Sequence, residues 1–295
     1  MKPYRTLLFV PGNRERMLEK APTLGADAIL ADLEDGVPEQ EKEGGRRRLA
    51  AWLREAARGD VLVRVNALDT GLTRADLDAV VAPGLAGILL PKASDPAEVE
   101  RVAGWLDELE AAAGIPSGQI DIVVMIESAL AVRRSYELAR APRVASLCFG
   151  GAENGDLQTD LGAEWSPEGT ELLYARSQVL LNGRAAGIAH PLDGVFARLD
   201  DTAALAEDTR LSRRLGYKGR TVIHPRQIEP VRAIYAPTEE ELAHWRRLLA
   251  AFEGAVADGR ATVSFDGVMI DYAMAARARN ELALAAQAGP GTPAE

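Results

Sequence analysis

The chain has 295 residues and a formal net charge of −10, with 47% apolar and 26% charged residues, which is the balance of an ordinary globular protein with ample material for a large core. The acidic balance argues against nucleic acid as the main partner, while a local cluster of Arg or Lys still suits an anionic substrate. No stretch reaches the ~20 apolar residues of a membrane span, and the single cysteine, Cys148, excludes an intrachain disulfide. With no basic and apolar secretory signal at the start, a cytoplasmic home is expected.

Eight short apolar runs follow one another, each ending in polar or charged residues. The first is Leu7-Leu8-Phe9-Val10, ending in Pro11-Gly12, and Ala28-Ile29-Leu30 then leads into Asp32-Leu33-Glu34-Asp35. Val61-Leu62-Val63 ends in Arg64-Val65-Asn66, and Ile88-Leu89-Leu90 in Pro91-Lys92. Ile122 to Ile126 ends in Glu127, and Val144 to Phe149 in Gly150-Gly151. The seventh run, Gly187-Ile188-Ala189, leads to His190 and Asp193, and the eighth, Thr221-Val222-Ile223, to His224-Pro225. Continuous apolar runs of this length read as parallel strands buried on both faces.

Helical segments lie between them. Thr73-Arg74-Ala75-Asp76 has the form of a capping box, and Ser94-Asp95-Pro96 and Ser166-Pro167-Glu168 each place an N-cap candidate and a proline ahead of an apolar-periodic run. Thr238-Glu239-Glu240-Glu241 opens a long helix to about Ala257. Strand–helix alternation repeated eight times predicts a (β/α)8 barrel with right-handed crossovers. A doubly wound open sheet is the rival, but no glycine-rich dinucleotide fingerprint follows the first strand. The barrel is expected over residues 1–236 and a C-terminal helical extension over 237–295, in which Ala261 to Phe265, Asp266-Gly267 and Met269-Ile270-Asp271 lead to a last helix from about Asp271 to Ala288. That extension would be an inert cover, a lid, or an arm reaching a neighbouring subunit. Gly289 to Glu295, rich in Pro and Gly, is expected to fray.

In a barrel of this kind the chemistry sits after the carboxyl ends of the strands. Glu127 ends strand five and Asp156 lies in the loop after strand six, so adjacent strands would bring both carboxylates to one mouth. Two hard oxygen ligands completed by water or substrate oxygens make a Mg²⁺ site. An ion pair or helix-end role is the equal alternative. Arg64, ending strand three, has the fork to grip a carboxylate, against a surface salt bridge to Asp32 or Glu34 as the plainer reading. Asp32, Glu34 and Asp35 crowd like charges that need cations, with Arg5, Arg64 and Lys92 available. Glu34 and Asp35 would fix those basic groups and metal-bound water, or serve as helix N-terminal acids. His190 and His224 read equally as wall residues or catalytic groups, and His244 as an ordinary helix residue. Arg14, Arg16 and Lys20 meet phosphates near the first helix or are solvated surface. Cys148 reads as a small buried apolar residue.

These segments, in this order and spacing, resemble the citrate lyase β-subunit and its relatives in the HpcH/HpaI aldolase superfamily. The resemblance rests on Leu8-Phe9-Val10-Pro11-Gly12, Asp32-Leu33-Glu34-Asp35, Arg64-Val65-Asn66, Leu90-Pro91-Lys92, Ile126-Glu127-Ser128, Ser166 to Glu171 and Gly216 to Pro225, almost the whole chain. It implies a trimeric or hexameric barrel with Mg²⁺ at the strand ends, acting on a CoA thioester or, beside an acyl-carrier partner, on a carrier-bound one. By the same resemblance Glu127 and Asp156 match the metal ligands and Arg64 the oxaloacetate-gripping arginine. Phe9, Arg14 and Lys20 match positions near the CoA entrance. Asp271, in Met269-Ile270-Asp271, matches an aspartate projected into a neighbour's site. The loop Gly151-Ala152-Glu153-Asn154-Gly155-Asp156 holds two more residues than the family's shorter form; alignment from Asp160-Leu161 backwards selects Asp156 and alignment from Gly151 forwards selects Asn154. An acid suits Mg²⁺ better. The expected reaction is retro-Claisen cleavage of a 3-hydroxyacyl thioester such as citryl-CoA, with Arg64 orienting a carboxylate and Asp271 as the acid that protonates the enolate. A CoA-independent metal-dependent pyruvate or oxaloacetate aldolase, and a non-catalytic barrel subunit of a complex, are the rivals.

Overall fold

A computed structural model of the chain describes residues 1–56 and 59–287; the segment expected to fray lies outside the described residues. Eight parallel strands close into a barrel in chain order, each hydrogen-bonded to the next and β1 to β8. They are β1 Thr6–Pro11, β2 Ala28–Asp32, β3 Val61–Arg64, β4 Leu85–Leu90, β5 Asp121–Ile126, β6 Val144–Phe149, β7 Leu192–Asp193 and β8 Gly219–Val222. The helices between them are α1 Glu15–Lys20, α2 Lys42–Ala56, α3 Thr73–Val80, α4 Pro96–Ala113, α5 Ala129–Arg133, α6 Ser135–Ala139, α7 Asp156–Leu161, α8 Thr170–Ala185 and α9 Thr202–Leu215, and α10 Pro225–Tyr235 follows β8.

The period-two alternation of strands divides the core. Leu7, Leu30, Leu62, Leu89, Val123, Met125, Cys148 and Leu192 fill the barrel interior, while neighbours such as Leu8, Ile29, Val63, Ile88 and Val124 pack outward against the helices. Each such buried aliphatic side chain contributes roughly 1.5–3 kcal/mol. Continuing the inward series past the last apolar residue reaches Phe9 after Leu7, Asp32 after Leu30, Arg64 after Leu62 and Glu127 after Met125. The alternation that builds the core therefore also delivers the polar groups to one mouth. Cys148 is fully buried, as expected of a small apolar residue.

Three local expectations are corrected. Gly187–Ala189 is no strand: Gly187 has φ +96°, its N–H donates to the Arg184 carbonyl, and the Ile188 N–H donates to the Gly183 carbonyl. The run is thus a helix stop with its hydrophobic contact, and β7 begins later, at Leu192, beyond His190. Thr73 does not cap α3; Leu72 precedes the helix, while Thr73 Oγ1 donates to the Asn66 carbonyl and Asp76 accepts from the Asn66 backbone and side-chain N–H groups. Ser166 does not cap α8 either. Gly169, at φ +63°, precedes that helix, and Ser166 instead donates through its backbone N–H and hydroxyl to Glu171. The capping box at Asp95 and Glu98 does form.

A second compact unit begins at Ala236. It contains α11 Glu239–Ala257, the antiparallel strands β9 Val263–Phe265 and β10 Val268–Ile270, and α12 Tyr272–Gln287. Thr238 and Glu241 form a capping box at the start of α11. The β9–β10 turn places Asp266 and Gly267 at φ +48° and +78°, the left-handed pair that a tight hairpin demands. Leu248, Phe252, Ile270, Ala275 and Ala278 form its own small core, with Phe252 and Tyr272 edge to face at 5.0 Å. Among the described residues no helix is long and apolar enough to cross a membrane.

Candidate active site

Arg64 anchors the mouth. Its Nε and Nη2 each donate to one oxygen of Asp32 at 2.7 Å, and its Nη1 lies 2.9 Å from Glu34 Oε2. The guanidinium also stands over the Phe9 ring, 4.8 Å from its centroid. The plainer sequence reading of Arg64 as a surface pair is corrected: the pair to Asp32 and Glu34 exists, but it is buried. Asp32 is fixed from behind as well, accepting from the backbone N–H of Glu34 at 2.9 Å and of Gly36 at 2.8 Å. A Cβ on Gly36 would stand 2.3 Å from Asp32 Oδ2, so only glycine lets the backbone come this close.

Lys92 ties the remaining acids together. Its backbone, at φ +56°, turns the N–H toward Glu127 Oε1 at 2.7 Å. Its ammonium lies 3.0 Å from Glu34 Oε1, 3.5 Å from Asp156 Oδ2 and 3.8 Å from Asp35 Oδ1. Arg64 and Lys92 thus pair with four carboxylates, from Asp32, Glu34, Asp35 and Asp156, and a fifth, Glu127, joins them through the Lys92 backbone N–H. Burial, reinforced by the charges of Glu34 and Asp156, pushes Glu127 up to about 7, against the opposing Lys92 N–H bond and Arg64 charge. Burial also raises Glu34, while Arg64 and Lys92 pull the other way.

The sequence-predicted residues divide accordingly. Phe9, Arg64, Glu34, Asp35, Glu127 and Asp156 come together with Asp32 and Lys92. Asp156 is the first residue of α7, half exposed beside Lys92, whereas Asn154 sits at φ +57° with its N–H donated to Gln158. Arg14, Arg16 and Lys20 are exposed on and beside α1. Arg5 is not available to the acids, because it precedes β1 at the opposite end of the barrel, where its N–H donates to Asp27. His190 is half-buried, with burial lowering its pKa. His224 Nδ1 accepts from the Arg226 N–H, and His244 packs against Trp245 and Phe265. Asp271, in the second unit, is exposed and caps α12 through the N–H groups of Ala273 and Met274.

Sequence reasoning missed a buried ionic network beside β7. Arg176 on α8 pairs with Asp193 and with Asp208 on α9, and Arg220 on β8 pairs with Asp208 and donates to the Gly194 carbonyl. The available signal was Arg176 four residues after Leu172 and four before Leu180, on the apolar stripe of its helix.

Excess carboxylate at a partly buried mouth is suited to a divalent cation with hard oxygen ligands. Glu34 Oε2 supports that fit, because it is buried 2.9 Å from Arg64 Nη1 and accepts no hydrogen bond.

Fold and mouth together define a (β/α)8-barrel protein with an acid-rich, arginine-anchored site at its strand ends. The chain belongs to the HpcH/HpaI aldolase/citrate lyase family, whose sequence profile matches residues 5–225. It is 38% identical over 284 residues to the citrate lyase subunit beta of Leuconostoc mesenteroides subsp. cremoris, covering 95% of this chain and 93% of that one. It is 35% identical over 285 residues to a (3S)-malyl-CoA thioesterase of Cereibacter sphaeroides, covering 96% and 95%. The crystal structure of CitE from Mycobacterium tuberculosis in complex with magnesium, acetoacetate and coenzyme A superposes with a TM-score of 0.76 at 30% identity, covering 96% of this chain and 98% of that one.

Proposed function

We propose that this protein is a Mg²⁺-dependent carbon–carbon lyase that cleaves a 3-hydroxyacyl thioester, citryl-CoA or a close analogue, into a keto acid and an acetyl thioester. The observation that carries the reading is the meeting of Glu127, Asp156 and Arg64 at one barrel mouth with more carboxylates than cations. Glu127 and Asp156 would hold the metal, which when bound supplies Lewis-acid stabilisation of charge on the emerging keto oxygen. Arg64 has five N–H donors, of which Asp32 and Glu34 engage at most three, so its remaining edge can orient the substrate carboxylate. Loss of the hydroxyl proton lets the bond between the hydroxyl-bearing carbon and the thioester α-carbon break. The electron pair passes to the thioester as an enolate, and one proton added to that carbon gives the acetyl thioester product. Glu34 and Asp35 hold Lys92 and Arg64 in place. Phe9, Arg14 and Lys20 form the CoA approach in this reading, and a carrier-bound thioester would use the same mouth in the cytoplasm.

The direct test is keto-acid release from citryl-CoA, malyl-CoA and citramalyl-CoA, with Mg²⁺ and with EDTA. Metal-dependent release from one of them identifies the acyl chain, and free CoA appearing in place of acetyl-CoA would show that hydrolysis follows cleavage. No release by the folded, metal-loaded protein would remove the thioester lyase reading in favour of a CoA-independent aldolase or a partner-dependent subunit.

Asp271 is the proposed proton donor to the enolate, delivered from a neighbouring copy in a homotrimer or hexamer. Asp271→Asn keeps a good helix cap while removing the acid, so its effect separates chemistry from folding. Mixed oligomers of Asp271→Asn and Glu127→Gln chains are expected to regain activity that neither parent has. Verified mixed oligomers with no recovery would rule out donation between subunits.

A further inference from the structure

The loop that carries Asp156 is tied at its two ends, by the Gly150 N–H to the Ile126 carbonyl at 2.8 Å and by Leu157 and Gln158 of α7, both buried. Between those ends the Gly155 N–H donates to the Ala152 carbonyl at 2.9 Å, the Asn154 N–H donates to Gln158 of α7 at 2.6 Å, and Asn154 occupies the left-handed region. A further anchor in the middle of the segment would sharpen the placement of the carboxylate, since ordering each residue costs roughly 1–2 kcal/mol. Arg198, on the loop after β7, supplies one. Its Nε and Nη2 donate to the two oxygens of Glu153 at 2.9 and 3.0 Å, and its guanidinium stacks 3.9 Å from the centre of the Trp165 ring.

The loop bearing Arg198 is itself fixed to the barrel. Arg220 donates twice to the Gly194 carbonyl, at 3.0 and 2.8 Å, and Gln227 Nε2 donates to the Phe196 carbonyl at 2.8 Å. Arg220 is in turn held by Asp208, which also pairs with Arg176. A continuous line of contacts therefore runs from the buried ionic network through Gly194–Phe196 and Arg198 to Glu153, three residues before Asp156.

We propose that Arg198 is a positioning residue: through Glu153 and Trp165 it holds the loop after β6 so that Asp156 stands ready at the mouth for a divalent cation. This rests on the reading of Asp156 as a metal ligand. The test is Mn²⁺ affinity by calorimetry for wild type, Arg198→Met, Glu153→Gln, the double variant and Asp156→Asn. Arg198→Met and Glu153→Gln are each expected to weaken Mn²⁺ binding about fivefold to tenfold, below the effect of losing the ligand at Asp156, and the double variant to be no worse than either single one. Saturating Mg²⁺ should then restore kcat, because only the cost of ordering the loop has been added. Glu153→Gln leaves the Arg198–Trp165 stack in place, so it reads the clamp even if Arg198→Met folds poorly. Wild-type Mn²⁺ affinity in both clamp variants alongside a weak Asp156→Asn protein would overturn the role of Arg198 and leave the ligand assignment standing. Wild-type affinity in Asp156→Asn would overturn the assignment and the proposal with it.

Discussion

Glu127→Gln is expected to lower kcat/KM for thioester cleavage by about 10³-fold or more and to remove most of the divalent-cation affinity, because it deletes the buried anionic oxygen while keeping the shape. The side chain is closely fixed: Lys92 donates its backbone N–H to Oε1, and a Cβ on Gly150 would stand 2.6 Å from the Glu127 Cβ. Retained shape with lost charge separates ligation from packing. Burial and the neighbouring acids set a pH dependence that the variant should lose. Glu127 rises from the ordinary glutamate value of 4.5 to about 7, so the folded protein keeps a proton there that the unfolded chain releases. Without a divalent cation this contribution to stability is greatest below the unfolded value and is lost as pH rises through about 7. A cation favours the ionised form, so added Mg²⁺ should raise Tm more at pH 8 than at pH 5.5, and Mg²⁺ affinity should climb up to about pH 7 and level off above it. A Glu127→Gln protein with the same Mg²⁺-dependent Tm profile as wild type would show that the ion is held elsewhere.

The frame of this site was legible in the sequence because one period governs both core and mouth. Leu30 and Asp32, Leu62 and Arg64, and Met125 and Glu127 are successive inward positions, so recognising the strands also located the acids and the arginine. Position seven misled because the helix stop around Gly187 ends in an apolar residue, and an apolar triplet carries no period to distinguish a cap contact from a strand. The Thr73 and Ser166 caps misled for a related reason. The Thr73 hydroxyl is taken by the Asn66 carbonyl, seven residues upstream, and Ser166 stands four residues ahead of α8, where its hydroxyl meets Glu171 of the first turn instead of the helix N–H groups. The network of Arg176, Asp193, Asp208 and Arg220 was invisible because its four charges come from four elements, and only closure of the barrel brings them together. Arg198 and Glu153 belong to the same class: two loop residues 45 apart in sequence meet because β6 and β7 are neighbours.

Arg64→Lys is the second decisive substitution, because it separates the two readings that the sequence left open for this residue. As a structural cation, Arg64 neutralises Asp32 and Glu34 in a buried setting, and both carboxylates hold it firmly charged. Deleting it as Arg64→Ala leaves those acids without a cation and should cost about 3–5 kcal/mol of stability. Lysine restores the charge and much of that stability, but its point charge cannot chelate Asp32, reach Glu34 and present a free edge together. If Arg64 serves only the ion pairs, Arg64→Lys should lose stability in a thermal melt and keep its kcat/KM. If the free edge grips the substrate carboxylate, kcat/KM should fall about 10²–10³-fold in a protein that melts close to wild type, and oxaloacetate should inhibit it far more weakly. The second pattern is the expected one, because Asp32 is already satisfied by Gly36 and the Glu34 backbone. A carboxylate held that way does not need a bidentate partner for folding alone, and the N–H groups of Arg64 that Asp32 and Glu34 leave unengaged are the ones a substrate carboxylate would take.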